Sequence, residues 1–297
     1  MELLAELWGA VDVRRDLLLI LTPLFIATLA AEWLKMRERG VYRLGDSLAS
    51  LGLGGIYLLA DALLVLMLVL PAYYWVHAHR VLDFSMTPQA YVVLFFGLEL
   101  CYYAFHRASH RIRWFWAAHV VHHSSEHMNF TTAMRQSLFY GVAGNWLFYL
   151  PLVWLGFAPE WVLFMLSVSL AYQYFVHTQA VHKLPRWFEW FFNTPSHHRA
   201  HHGRNPQYID RNYGGILIIY DRLFGTFVEE QEAVDYGIVR QVQSFNPLWL
   251  NLHEWVDLAR DVARPGPLLQ RLRHLWMPPE WQRPEAAADR AAEPQRS

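Results

Sequence analysis

The sequence has a single cysteine, Cys101, among its 297 residues. It therefore forms no intramolecular disulfide and carries no cysteine-rich zinc or iron–sulfur site. Charged residues are also scarce, at 17% of the chain, and the formal net charge is −1. A chain with so little excess charge is not expected to bind nucleic acid. The first eight residues carry acidic and no basic side chains, so we do not expect a cleaved signal peptide.

Hydrophobic residues make up 54% of the chain and aromatic residues 16%. A helix needs ~20 apolar residues to cross ~30 Å of hydrocarbon. A Gly156-Phe-Ala-Pro159 turn separates the last two of the apolar segments, which form either a full hairpin or a shallow re-entrant pair. We therefore predict an all-α, multi-pass membrane helix bundle with about four or five apolar segments. These segments are residues 17–33, 48–75, 91–105, 138–157 and 161–176.

Basic residues predict the orientation of these segments, because loops that stay in the cytoplasm are enriched in lysine and arginine. Four basic residues lie between Lys35 and Arg43, after the first segment, whereas the turn at 156–160 has none. We therefore expect residues 35–47, 106–136 and 177–297 on the cytoplasmic side of a bacterial inner membrane. This orientation places every histidine cluster on one face.

Twelve of the sixteen histidines lie between His106 and His202, next to the apolar segments. Residues four apart share one face of a helix, so an HxxxH pair points one way and an HxxHH group spreads over a narrow arc. Neutral imidazole is a strong ligand for iron, zinc and copper. The pattern predicts a metal centre, with room for two ions, in a histidine-rich cytoplasmic helical cap. The clusters are His106/His110, His119/His122/His123 with His127, His177/His182 and His197/His198/His201/His202.

Several metalloprotein classes lack their signatures in this sequence. There is no HExxH motif, so a zinc protease would have no general base. No Glu-x-x-His motif lies near the clusters, which argues against a soluble di-iron bundle. A transporter would place polar ligands near the bilayer midplane, not at the ends of spans. An oxygen-activating enzyme and a non-catalytic zinc-binding membrane protein both stay open.

The order HxxxH, HxxHH, single histidine, HxxHH resembles the fatty acid hydroxylase/sterol desaturase superfamily of membrane-bound non-haem di-iron oxygenases. The stretches 119–137, 193–215 and 221–227 are most similar to the alkylglycerol monooxygenase branch of that superfamily. The resemblance implies an oxidoreductase, a lipid monooxygenase that hydroxylates an unactivated C–H bond of a fatty acyl, sterol or ether lipid. A lipid desaturase of the same superfamily is the alternative, and the sequence does not decide between them.

The resemblance also implies the cofactors and the ligands. The cofactors are two iron ions, dioxygen and an external two-electron donor, which is tetrahydrobiopterin in the alkylglycerol monooxygenase branch and cytochrome b5 or a ferredoxin-type protein elsewhere. The HxxxH motif and the two HxxHH motifs, which we call histidine boxes, supply the core ligands. His177, His182 and His197 are further members or neighbours of the site. The implied metal ligands are His106, His110, His119, His122, His123, His177, His182, His197, His198, His201 and His202.

Polar residues near the boxes are candidates to orient the ligands, since imidazole ligands usually donate their second N–H to a carboxylate or carbonyl. These candidates are Glu126, His127, Asn129, Asn205 and Asp210, with helix capping and turn formation as the alternative. Arg135 and Arg199 could hold a lipid phosphate or carboxylate, or offset nearby acidic groups.

The chain divides into three predicted regions. Residues 1–88 form an N-terminal transmembrane region, and residues 89–246 form the fatty acid hydroxylase-type di-iron domain. Residues 247–297 form an amphipathic region whose helices lie on the membrane or against the cap, followed by a disordered tail from about residue 278. The sequence carries no recognisable cytochrome or flavin domain, so we expect the electrons to come from a separate donor.

Overall fold

The computed structural model describes residues 12–284, so the expectations for residues 1–11 and 285–297 lie outside the described part. Helices dominate the described chain, and extended pairing within it is limited to two isolated bridges, Phe192 with Leu217 and Gly203 with Tyr236. The predicted all-α class is confirmed. The α-helices are α1 (Val13–Met36), α2 (Leu44–Ala78), α3 (Pro88–Arg111), α4 (Arg113–His123), α5 (Phe130–Ala133), α6 (Tyr140–Ala143), α7 (Leu150–Leu155), α8 (Pro159–Val176), α9 (Arg186–Phe191), α10 (Pro195–His201), α11 (Ile219–Phe224), α12 (Pro247–Ala263) and α13 (Leu268–Arg273).

Within residues 12–284, α1 and α2 are long and apolar enough to cross a membrane. Only 6% of the most apolar window of α1 and 17% of that of α2 is buried inside the protein. Leu19 of α1 is 71% exposed and Leu59 of α2 is 72% exposed. Apolar helices that the protein itself leaves uncovered are typical of surfaces that contact a membrane or another protein. The two helices match the first two predicted segments and support association with a membrane.

The remaining predicted segments have two different outcomes. Residues 91–105 and 161–176 fall within single helices, α3 and α8. Residues 138–157 do not form one continuous helix, and the full hairpin and the re-entrant pair both stay predictions. Here α6 ends at Gly144, which has a left-handed φ of 100°, and a 3-10 turn (Asn145–Tyr149) separates α6 from α7. Glycine adopts this conformation without the steric cost that a side chain would add.

The start and end of α3 place the first histidine pair. The helix begins at Pro88, where the Thr87 side chain accepts a hydrogen bond from the Ala90 N–H. Proline suits the first helical position because its missing N–H would have no helical partner there. The helix ends at Arg111, and the extended backbone of Ile112 separates it from α4. This one-residue break turns α4 across the end of α3, so that His106 and His110 face the histidines of α4.

Two groups of buried apolar residues support this arrangement. The larger one joins α2, α3, α7 and α8 and contains Leu94, Leu98, Val153 and Val162, all with no exposed surface. The smaller one packs α2, α4 and α12 together around Val121. Helix–helix packing of this kind fixes the relative positions of the histidine-bearing elements.

The C-terminal region folds against α4, so the cap alternative for its amphipathic helices fits the structure. The N–H groups of Arg113 and Trp114, which start α4, donate to the carbonyls of Met277 and Leu275 at 3.1 and 3.0 Å. Arg283 is 7% exposed and donates to the Pro265 carbonyl at 2.9 Å. Residues 278–284 are therefore part of the fold, and the predicted disordered tail does not begin at residue 278.

Replacing Arg113 with alanine should lower the free energy of unfolding by ~3–5 kcal/mol, because one partner of a buried ion pair is removed. The Arg113 guanidinium lies 2.9 Å from Glu254 and 2.7 Å from Asp261, and its side chain is 4% exposed. Arg240→Ala is the matched control, since Arg240 lies 3.8 Å from the same Glu254 but is 74% exposed. It should cost at most ~1 kcal/mol. Equal denaturation midpoints for the two variants in detergent would contradict this account.

Candidate metal centre

Nine of the predicted histidine ligands converge on two buried groups. In each group the candidate ligand nitrogens all lie within 4.8 Å of one another. The groups adjoin, since the His123 and His202 rings, one from each, stack with centroids 4.3 Å apart. We call them group A, formed by His106, His110, His119, His123 and His201, and group B, formed by His122, His177, His198 and His202.

The two HxxHH boxes divide between the groups in opposite ways. In α4, His119 and His123 point into group A and His122 points into group B. In and just after α10, His198 and His202 point into group B and His201 points into group A. Residues four apart share a helix face whereas the residue between them is rotated away, so each box serves both groups. Each group therefore draws ligands from at least three separate parts of the chain.

Most of the second ring nitrogens are held by the protein. The Nδ1 atoms of four ligands face backbone carbonyl oxygens, and that of His119 faces the Tyr140 hydroxyl at 2.6 Å. A carbonyl oxygen only accepts, so these Nδ1 atoms carry the proton and the Nε2 atoms present lone pairs. The carbonyl contacts are His106 to Tyr213 at 2.8 Å, His122 to Arg135 at 3.2 Å, His177 to Gln173 at 2.6 Å and His201 to Arg211 at 2.7 Å.

The lone pairs of His122 and His177 face each other across group B. Their Nε2 atoms are 3.1 Å apart, and both Nδ1 protons are donated to carbonyls. Burial lowers the pKa of His177 to about 4 and that of His122 well below 6.5, so both rings are neutral at pH 7. Two lone pairs cannot hydrogen-bond to each other. A cation between them resolves the conflict, and the residues present fit a bound metal.

The spacing of the nitrogens indicates the coordination geometry. Metal–nitrogen bonds of ~2.1 Å place two ligands ~3.0 Å apart at a right angle and ~3.4 Å apart at a tetrahedral angle. Five Nε2–Nε2 contacts in the two groups lie between 2.9 and 3.1 Å. In group A, the Nε2 atoms of His110 and His201 are buried and have no hydrogen-bond partner. Group A thus has five donors, and the contacts His106–His119 and His119–His123 have right-angle spacing, which favours an ion that takes five or six ligands over a four-coordinate structural zinc.

His182 and His197 are the two predicted ligands that the structure leaves outside both groups. His182 is exposed and contributes its backbone carbonyl to Arg199. It lies five residues after His177, past the end of α8, so no helical repeat returns it to the site. His197 is buried, but its ring packs edge-on against Phe227 at 5.2 Å, because it lies on the opposite face of α10 from the ligands.

Among the residues expected to orient ligands, Asp210 is the one that reaches a histidine. Its carboxylate lies 3.6 Å from His110 Nδ1 and also pairs with Arg111. The His110 and Arg111 side chains lower the pKa of Asp210, against the opposing effect of burial. Asp210 is held at a φ of 59°, which is uncommon for a residue with a side chain. The backbone at this position thus brings a carboxylate to group A.

The other four orienting candidates have structural roles. Asn129 caps α5 in a capping box with Thr132, and Asn205 accepts from the Asp235 N–H in a turn. The Glu126 side chain is 42% exposed and lies 3.8 Å from Arg204. His127 accepts from Thr132 through its backbone carbonyl, and its ring belongs to neither group. The capping and turn alternative therefore accounts for Asn129 and Asn205.

Arg135 and Arg199 are engaged inside the protein and do not meet a surface. Arg135 is 1% exposed and pairs with Asp46 at 3.2 Å. Arg199 is 5% exposed, pairs with Glu230 at 2.6 Å and donates to the Val181 carbonyl. We therefore assign no lipid headgroup to either guanidinium. Their role is to fix α2 and the segment after α8 beside the two groups.

Sequence reasoning missed two buried acids that shape the site. Glu99 accepts from the N–H groups of Ile216 and Leu217 at 2.6 and 3.0 Å. Asp221 accepts from those of Tyr213 and Gly214 at 2.8 and 2.7 Å. Together they hold the loop whose Tyr213 carbonyl orients His106. Glu99 could have been identified from the sequence because it is an acid within an apolar segment. Acids rarely lie in such segments without a specific partner.

The comparisons with known proteins agree with this geometry. The family model described as Fatty acid hydroxylase matches residues 91–226, which include all nine converging histidines. The chain belongs to the fatty acid hydroxylase superfamily. The predicted resemblance is confirmed.

Several relatives in this superfamily are named alkylglycerol monooxygenase. That of Xenopus tropicalis is 38% identical over 80% of this chain and 53% of its own length. The human protein is 37% identical over 82% of this chain and 56% of its own length. The zebrafish protein is 41% identical over 63% of this chain and 41% of its own length. The chain thus spans about half the length of these relatives. No solved structure shows significant similarity to it.

His177→Ala should lower the amount of metal bound per chain, because it removes one of only four nitrogens from group B. His182→Ala is the matched control, since His182 lies in the same segment but is exposed and outside both groups. It should leave the metal content unchanged. Elemental analysis of the two purified variants tests this directly. Equal metal loss in both would mean that the groups do not define the ligands.

The metal-free protein should lose stability as the pH falls from ~6.5 toward 4. Burial lowers the pKa of His177 to about 4 and the pKa values of other buried histidines well below 6.5. In that window the unfolded chain binds more protons than the folded one, so protonation favours unfolding. Denaturation midpoints of chelator-treated protein at several pH values measure the slope. A flat profile between pH 7 and 5 would contradict the buried neutral histidines.

Proposed function

We propose that the protein is a membrane-bound non-haem di-iron oxygenase that hydroxylates an unactivated C–H bond of a lipid. The observation that carries this proposal is the pair of adjoining groups of neutral, inward-facing imidazole nitrogens. Five donors in one group and four in the other leave one and two positions free on six-coordinate ions. Catalytic metal sites keep such open positions, whereas structural sites are closed. Membership in the fatty acid hydroxylase superfamily supports iron as the metal.

In this proposal groups A and B each hold one iron ion, and the centre supplies reductive activation of dioxygen and insertion of one oxygen atom into a C–H bond. The protein's part is to fix the ligands and to exclude water. Carbonyls of Tyr213, Arg135, Gln173 and Arg211 keep the Nδ1 protons in place. The converging histidines are all at most 7% exposed, so bulk water has little access to the centre.

An alkylglycerol is the first substrate to test, because several relatives carry the name alkylglycerol monooxygenase. Fatty acyl and sterol lipids are the alternatives within the superfamily. Desaturation is the second candidate reaction, since it needs the same metal centre and a similar substrate. The electron donor in this proposal is external, tetrahydrobiopterin or a cytochrome b5 or ferredoxin-type protein.

The proposal places the centre at the cytoplasmic face of the membrane. The C-terminal end of α1 and the N-terminal end of α2 contact the histidine-bearing region. Glu32 of α1 accepts from the Phe130 N–H at 2.8 Å, and Asp46 of α2 accepts from Ser125 at 2.7 Å. The basic residues between Lys35 and Arg43 connect these same two ends. The enrichment of basic residues in cytoplasmic loops supports this side.

Purified protein should contain two irons per chain and consume dioxygen only when both lipid and reductant are present. A product heavier by one oxygen atom supports hydroxylation, and a product lighter by two hydrogens supports desaturation. His122→Ala should abolish turnover while expression persists, because His122 supplies group B from α4. One zinc per chain with no lipid-dependent oxygen uptake would favour the non-catalytic zinc-binding alternative and overturn the proposal.

A further inference from the structure

A cavity lies beside group B, between α1, the end of α8 and α9. Its volume is about 480 Å³, within the range of ~300–1,000 Å³ that is usual for ligand pockets. Val176 and Thr178, the neighbours of His177, line it, as does Pro195, which begins the histidine-bearing α10. The residues that line this cavity are therefore direct neighbours in the chain of segments that carry group B histidines.

The interior of the cavity presents hydrocarbon. Phe130, Phe175 and Val176 line it, and the buried Glu32 is its one acid. The Glu32 carboxylate accepts hydrogen bonds from the Phe130 N–H, the Tyr42 hydroxyl and the Thr178 hydroxyl. These three donors come from the protein, so the carboxylate is already satisfied without a polar ligand. A cavity of this kind favours an apolar chain over a polar molecule.

One wall of the cavity is formed by α1, a candidate membrane span. Thr28, Ala31, Glu32 and Lys35 line it from α1, at the i, i+3, i+4, i+7 spacing of one helix face. Helix α1 is a candidate membrane span whose other faces expose apolar residues such as Ile26, at 62%. Lys35 marks the polar end of that face, and its amine reaches the Ala180 carbonyl at 3.4 Å. A lysine at a helix end typically places its amine at the membrane interface.

We propose that this cavity binds the hydrocarbon chain of the lipid substrate, which enters from the bilayer beside α1. The chain then lies against the backbone on both sides of His177, at group B rather than at group A. This inference rests on the proposed function for the identity of the chain as a substrate. The binding itself depends only on the cavity.

Photolabelling in lipid nanodiscs tests the location. The probe is a long-chain alkylglycerol with a diazirine in its chain, and the adduct is mapped by mass spectrometry. Ala31→Trp fills the cavity, and Ala30→Trp is the matched control, because Ala30 is exposed on the same helix but does not line the cavity. Ala31→Trp should lower labelling at least ~10-fold, since excluding about two methylenes forfeits that factor in affinity. Both variants should keep the wild-type metal content.

Three results would overturn the inference. The first is equal labelling of the two variants. The second is that adducts form only in the groove beside α3, which Leu100 and Phe224 line. The third is that Ala31→Trp loses labelling but keeps undiminished lipid-dependent oxygen uptake. The last result would identify a bystander lipid. Failure of the proposed function would give a different result. Wild-type protein would then show no lipid-dependent oxygen uptake. It would still be labelled, and the loss of labelling in Ala31→Trp would still show a cavity that binds the chain.

Discussion

Neutral imidazole lone pairs that face each other at about 3 Å in a buried site repel unless a cation lies between them, and much of this structure serves to hold them there. The Nε2 atoms of His122 and His177 are 3.1 Å apart, and backbone carbonyl oxygens hold the proton of each ring on Nδ1. When the protein folds without a metal, these nitrogens lose their hydrogen bonds to water and gain no hydrogen bond between their lone pairs. Binding of a metal in these groups would therefore be coupled to folding of this region, as in other sites whose ligands come from distant segments.

The ligands are oriented mainly by backbone carbonyls, which are themselves fixed by buried side chains. Tyr213 orients His106 through its carbonyl while its N–H is held by Asp221, and Glu99 holds the next residues of the same loop. Arg135 orients His122 through its carbonyl while its guanidinium pairs with Asp46 of α2. A carbonyl is unchanged by most substitutions, so the orientation depends on loop position more than on any one polar side chain.

The sequence was sufficient to predict the helical class, the two long apolar helices and the nine histidines that converge on the two groups, because helical periodicity and apolar length are local properties. It was not sufficient to exclude His182 and His197 from the groups. His182 lies past the end of α8, and His197 lies on the opposite face of α10 from the converging histidines. The division of each HxxHH box between two groups depends on how α4 and α10 face each other. Long-range contacts also determine the roles of Arg135 and Arg199. Their partners, Asp46 and Glu230, lie 89 and 31 residues away in the sequence. No local pattern encodes such pairs.

The two groups differ in ways that give them different roles. Group A has five nitrogens and is flanked by the Asp210 carboxylate, which pairs with Arg111. Group B has four nitrogens, and the chain neighbours of its His177 line the apolar cavity. In the proposed centre, an ion in group B would have fewer protein ligands and would lie on the side of the apolar cavity, whereas an ion in group A would have more ligands and would lie beside charged residues. The asymmetry follows from the chain itself, because α8 delivers one histidine to group B whereas α3 delivers two to group A.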